Sequence, residues 1–251
     1  MLSRPVRLIV LLAAGLGAVA GLGHVASVTV LARPDLPPTA QHAYVAAPVP
    51  ARAPVAPAPA GEPVGVPVVD PAWVSAHAEA SGVPEPAVRA YAAAQLAVDN
   101  RCALGWTTLA GIGWVESQHG TIGGRVIAAD GHASRRILGP PLNGRGAVAA
   151  IPATPESSAW HGNPRWDHAV GPMQFIPSTW ETWGSDGDGD GEADPNDLDD
   201  AALAAARYLC ADGHDLTTGE GWAAAVFAYN HAQVYVDAVH AAATSYADRT
   251  T

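Results

Sequence analysis

The sequence predicts a mainly α fold. Three observations lead there: apolar residues recur at helical spacing in most segments after position 70, helix-starting and helix-stopping residues bracket those segments, and no run alternates every second residue between hairpin turns. There is no internal repeat.

The elements follow in order. Residues 1–32 place Arg4 and Arg7 ahead of an uncharged, mostly apolar run from Leu8 to Ala32, the pattern of an export signal. The run is longer than the usual core of about 7–15 residues and approaches the roughly 20 that span a bilayer. It therefore reads either as a retained signal anchor, which would attach the chain to the membrane, or as a signal peptide cleaved at a small-x-small site such as Ala18-Val19-Ala20. No Cys lies near it, which excludes a lipoprotein anchor. Residues 33–70 are dominated by Pro, Ala and Val, a composition that favours extended conformers with little surface worth burying, and they read as a disordered linker.

Residues 71–251 are the folded domain. Asp70-Pro71 is an N-cap followed by a first helical position, opening a short helix that ends at Ser81-Gly82. Further helices are expected over 88–98, 105–118, 178–183, 198–210, 221–229 and 233–247. Between Gly120 and Val170 the chain is punctuated by Gly, Pro, Asn and Ser and reads as a long irregular excursion, which in a compact domain points to function.

Three segments carry chemistry. In the helix over 105–118, Leu109, Ile112, Gly113 and Glu116 fall at i, i+3, i+4 and i+7 and share a face. A carboxyl there points inward, where desolvation raises its pKa and keeps a proton available near neutral pH. Gly111 and Gly113 each cost about 1 kcal/mol relative to Ala inside a helix, so a closely packed helix or a sugar ring has to require them. Read alone, Glu116 could equally be a surface residue at a helix end. In the second segment, Gly171-Pro172 forms a tight turn, Gln174 offers both a donor and an acceptor, and Pro177-Ser178 opens the next helix. The third, Phe227-Ala228-Tyr229-Asn230-His231, presents a phenol and a carboxamide at a helix end.

In this order, Glu116-Ser117, Gly171-Pro172-Met173-Gln174-Phe175 and Tyr229-Asn230 followed by Tyr235-Val236 resemble the lytic murein transglycosylases, most closely their B-type, membrane-associated branch. The resemblance spans about residues 71–245; segment 130–165 has no counterpart in those motifs. It implies a goose-lysozyme-like catalytic domain that cleaves the β-1,4 bond between N-acetylmuramic acid and N-acetylglucosamine in peptidoglycan glycan strands, leaving 1,6-anhydro ends. It implies Glu116 as the catalytic acid, with Ser117, Met173, Gln174, Phe175, Tyr229 and Asn230 binding or shaping the substrate site and no organic cofactor. Two alternatives stay open. A hydrolytic muramidase of the same fold would need a second carboxylate, which Asp130, Glu156 or Asp167 could supply. A non-catalytic module would only hold the glycan.

The run Asp186-Gly187-Asp188-Gly189-Asp190-Gly191-Glu192 matches the first seven positions of an EF-hand-like calcium loop, with Asp197 at position twelve in place of Glu. Asp186, Asp188, Asp190, Glu192 (through its carbonyl) and Asp197 are the expected Ca2+ ligands, and B-type transglycosylases carry a similar inserted loop. The competing reading is a solvated acidic loop. Cys102 and Cys210 are the only cysteines in a domain that the signal would export, so a disulfide is expected, closing a loop worth up to about 4.7 kcal/mol; buried free thiols are the alternative.

The net charge of −11, with every basic residue an Arg, excludes nucleic acid as a partner. Peptidoglycan is itself anionic, so long-range steering onto it is not expected. The histidines show no metal-ligand spacing, and no Ser-His-Asp arrangement is legible. The expected location is the cell envelope, at the outer face of the cytoplasmic membrane or secreted to the wall.

Overall fold

The computed structural model describes residues 53–56, 67–98, 102–145 and 149–251. The apolar N-terminal segment and most of the spacer lie outside the described residues. Eight helices run in order among those described: α1 (Pro71–Ser81), α2 (Glu85–Val98), α3 (Trp106–Ser117), α4 (Pro155–His161), α5 (Pro177–Trp183), α6 (Leu198–Leu209), α7 (Gly219–Tyr229) and α8 (Gln233–Thr250). Among the described residues there is no named strand, only isolated bridges, and no helix long and apolar enough to cross a membrane.

Local chemistry sets the helix ends. Asp70 caps α1, its carboxylate accepting from the Ala72 N–H at 2.8 Å, and Gly82 closes the helix at φ 77°. Gly105 has no side chain to cap α3, so α2 supplies one: Gln95 Oε1 accepts from the Trp106 N–H at 3.1 Å, satisfying a buried donor that the helix itself leaves orphaned.

Helix α3 is the centre of the domain. It packs along α8 and against α2, while α2 packs along α6. Of its residues only Trp114, 46 % exposed, reaches well into solvent. The inward face read from spacing is therefore only part of a helix buried on nearly all sides, as expected of one that is apolar all round. The two glycines have separate reasons. A Cβ on Gly111 would lie 2.7 Å from the Val239 carbonyl oxygen on α8, so this glycine lets two backbones touch. A Cβ on Gly113 would overlap the Tyr91 hydroxyl from α2. Protein, rather than sugar, fills both spaces.

Cys102 and Cys210 form a disulfide with Cα atoms 5.7 Å apart at a sequence separation of 108, tying the approach to α3 to the end of α6. Part of the expected free tether is docked. Val55 bridges Val69, the Ala56 N–H donates to Val68 O at 2.8 Å, and Ala53 and Val69 enter the core. Two short apolar stretches pairing with each other satisfy their own backbone, which composition alone does not show.

The excursion after Gly120 is ordered by pairing. Bridges Leu138↔Val170, Asn143↔Ala150 and Pro152↔Trp166 fold it onto itself around a small core of Leu142, Ala169 and Ile176. It also contains α4, which the sequence reading omitted. Its signal is present: Thr154 and Ser157 form a reciprocal capping box around Pro155, and Gly162 ends the helix at φ 77°.

Candidate active site

Glu116 occupies the last turn of α3 and is 2 % exposed. Its Oε1 accepts from the Tyr235 hydroxyl at 2.7 Å, and its Oε2 has no hydrogen-bond partner. Burial pushes the carboxyl well above the usual carboxylate range, and the Tyr235 hydrogen bond only partly opposes this. The group is held in one orientation by one oxygen while the other is left for a ligand. The Tyr235 ring stacks on Tyr229 at 6.5 Å, and burial together with the nearby Glu116 raises both phenol pKa values.

The turn after Val170 closes the next side. Gly171 has φ 79°, and a Cβ on it would overlap the Pro195 carbonyl, so the backbone of the acidic loop rests directly on the turn. Gln174 adopts φ 52°, a left-handed conformation that costs a non-glycine residue about 1–2 kcal/mol and persists only where its surroundings impose it. Its Nε2 donates to Gly171 O at 2.9 Å, and the side chain is 2 % exposed. Ser117 joins this turn to α3: its hydroxyl donates to Pro172 O at 2.5 Å and accepts from the Gly120 N–H at 2.8 Å. Met173 and Phe175 are fully buried and support the turn from behind, and the Tyr229 hydroxyl donates to Met173 O at 2.9 Å. Asn230, fully buried at the end of α7, leaves both amide atoms without a partner, an expensive arrangement that a bound polar ligand would relieve.

The structure thus links Glu116, Ser117, Met173, Gln174, Phe175 and Tyr229 through contacts around one turn and one helix end. Tyr235 was quoted only as part of a motif, yet its hydroxyl is the one that holds Glu116. Its signal was its place in the first turn of α8, at the six-residue interval after Tyr229. His119 is 3 % exposed and bridges Tyr91 and Tyr246 at 3.2 and 2.9 Å; burial lowers its pKa to about 3. An open cleft of about 200 Å³ lies beside Gly171 and Pro172, also lined by His132, Arg136, Asp194 and Asn196. Neither Glu116 nor Tyr235 lines it.

The three alternative carboxylates are placed elsewhere. Asp130 and Glu156 are exposed. Asp167 is 3 % exposed, with its carboxylate accepting from the Ser157 hydroxyl and from His161 Nε2.

In the acidic loop the grouping differs from the expected one. Carboxylate oxygens of Asp186, Asp188 and Asp200 lie within 4.8 Å of one another. Asp197 caps α6, accepting from the Asp199 N–H at 2.7 Å, and its other oxygen lies 3.3 Å from His132 Nδ1, outside the three-carboxylate group. The Asp190 carboxylate stands outside that group, its Oδ1 accepting the Glu192 N–H at 2.8 Å. Burial, opposed by hydrogen bonds and reinforced by Asp188 and Asp186, raises Asp200 to about 6. The nearby cations are already engaged, Arg89 with Asp199 at 2.6 Å and His132 with Asp194 and Asp197.

Residues 156–238 match the family model described as the Transglycosylase SLT domain, which supports a lytic transglycosylase acting on peptidoglycan. The match takes in the Gln174 turn, α5 to α7, and Tyr235, while Glu116 lies before its start. No curated protein and no solved structure matches the chain.

Proposed function

We propose that this chain cleaves the β-1,4 bond between N-acetylmuramic acid and N-acetylglucosamine without admitting water, in the manner of the B-type lytic transglycosylases. The observation that carries this reading is Glu116: a buried carboxyl with a raised pKa, one oxygen fixed by Tyr235 and the other unpartnered, beside the turn within the matched domain. A single carboxyl has to act twice in such a reaction. Protonated Glu116 first gives its proton to the glycosidic oxygen as the bond to C1 breaks; the resulting carboxylate then takes the proton of the muramic acid C6 hydroxyl as that oxygen attacks C1. The attack is intramolecular, so its entropy cost is largely met in advance and no activated water is needed. Gln174 and Asn230 supply amides to hold the sugar and its N-acetyl group, while Tyr235 steadies the carboxyl.

A hydrolytic route needs a second carboxylate on the opposite sugar face. Asp130 and Glu156 face solvent, and Asp167 is committed to Ser157 and His161, so none of them favours that route. Mass spectrometry of digested wall tests the reading. Anhydro-muramic ends are expected; ordinary reducing ends would establish hydrolysis, and intact glycan would leave only a binding role.

The acidic loop is read as a structural calcium site. The Asp186, Asp188 and Asp200 oxygens are hard ligands at close quarters, a set that suits Ca2+. The ion would supply charge balance at the segment that rests on Gly171. The N-terminal signal pattern supports export to the envelope, where a retained anchor would keep the domain at the outer face of the membrane.

A further inference from the structure

The excursion contains a chain of polar side chains whose last bond reaches the back of the Gln174 turn. Asp167 accepts from Ser157 and from His161 Nε2, and His161 Nδ1 accepts the Asn163 N–H at 3.1 Å. Asn163 Oδ1 accepts the N–H groups of Arg165 and Trp166 at 3.0 and 3.2 Å, which fixes the amide so that Nδ2 donates to His168 Nε2 at 2.9 Å. His168 is thereby held as the Nδ1–H tautomer, and that hydrogen goes to the Gly139 carbonyl at 2.7 Å. The Gly139 N–H donates in turn to Ala169 O at 2.9 Å.

Gly139 is therefore pinned on both sides, and it is the surface against which Gln174 rests: a Cβ on Gly139 would lie 2.7 Å from Gln174 Oε1. The strained φ of 52° at Gln174 requires such confinement. We infer that His168 is a positioning residue for Gln174, acting through the Gly139 backbone, so that the excursion sets the placement of the amide that holds the substrate. The inference rests on Gln174 belonging to the proposed glycan site, and His168 itself is not asked to touch sugar.

The experiment uses the 15N-labelled full chain, with the Gln174 side-chain amide pair assigned by its loss in Gln174→Glu. His168→Phe removes the donor to Gly139, whereas His168→Asn restores one through its Nδ2. Gly139→Ala presses on Gln174 directly and spares the polar chain. The expected result is that His168→Phe and Gly139→Ala move the Gln174 amide pair and raise KM for glycan roughly 10–10²-fold, with His168→Asn close to wild type in both. Unmoved Gln174 resonances in His168→Phe, or an equal shift in His168→Asn, would overturn the inference. If the wild-type chain cleaves no glycan, the proposed activity fails by itself, and the amide resonances still decide whether His168 positions Gln174.

Discussion

Two buried carboxyls of this molecule, Glu116 and Asp200, have raised pKa values, and their neighbours differ. At Glu116 the cause is desolvation, opposed only in part by the Tyr235 hydroxyl that donates to it. At Asp200 burial is again the largest cause, but here the Asp194 and Gly187 N–H groups oppose it and the carboxylates of Asp188 and Asp186, with oxygens within 4.8 Å, reinforce it. In the proposed function the first gives a proton and the second takes part in holding a cation. A raised carboxyl pKa does not identify a general acid; the neighbours that raise it do.

The largest expected effect separates the two at once. Glu116→Gln keeps shape and loses the proton, so cleavage should fall by at least roughly 10²–10⁴-fold while glycan still binds and the fold is retained. Turnover near wild type would remove Glu116 from the mechanism.

The loop should respond to metal instead. Calcium at a hundredfold its Kd should stabilise the folded chain by about 2.7 kcal/mol, read as a rise in Tm. Asp200→Asn should lose most of that rise, whereas Asp197→Asn, which preserves the α6 cap, should keep it. The reverse pattern would reinstate the ligand set expected from loop spacing.

Between the two regions stands Arg89, whose guanidinium holds Asp199 through two donors at 2.6 and 3.2 Å and Ala129 O at 2.6 Å. Arg89→Ala leaves a buried carboxylate unpaired, and because Arg89 is itself partly exposed the cost belongs at the low end, about 3 kcal/mol in denaturant unfolding. A change within experimental error would show that water replaces the arginine.

The smallest effect is a pH slope. The folded chain keeps the Glu116 proton that an unfolded chain releases above about pH 4.3, so this group makes stability fall as pH rises from there up to its folded pKa, and contributes no slope above it. Glu116→Gln lacks this component, so the mutant's Tm advantage over wild type should widen across that interval. A constant difference from pH 4 to pH 8 would mean the carboxyl is not perturbed.

Local sequence determined a good deal. Asp70-Pro71 and Gly82 mark both ends of α1, the apolar run 105–117 needs burial wherever it goes, and the two cysteines have only each other. These follow from neighbours along the chain or from counting. What needed the tertiary structure were pairings over long sequence distances: Tyr235 on Glu116, 119 residues apart, Trp106 capped by Gln95, and Gly113 filled by Tyr91. The acidic loop shows the boundary most clearly. Spacing proposed Asp197 as the closing ligand, but an aspartate preceding α6 finds orphaned N–H groups closer than any ion, so it caps the helix and Asp200, one turn further on, faces Asp186 and Asp188. Sequence fixes which groups are present and how they are spaced along the chain; which of two competing partners each one takes depends on distances that exist only once the helices have packed.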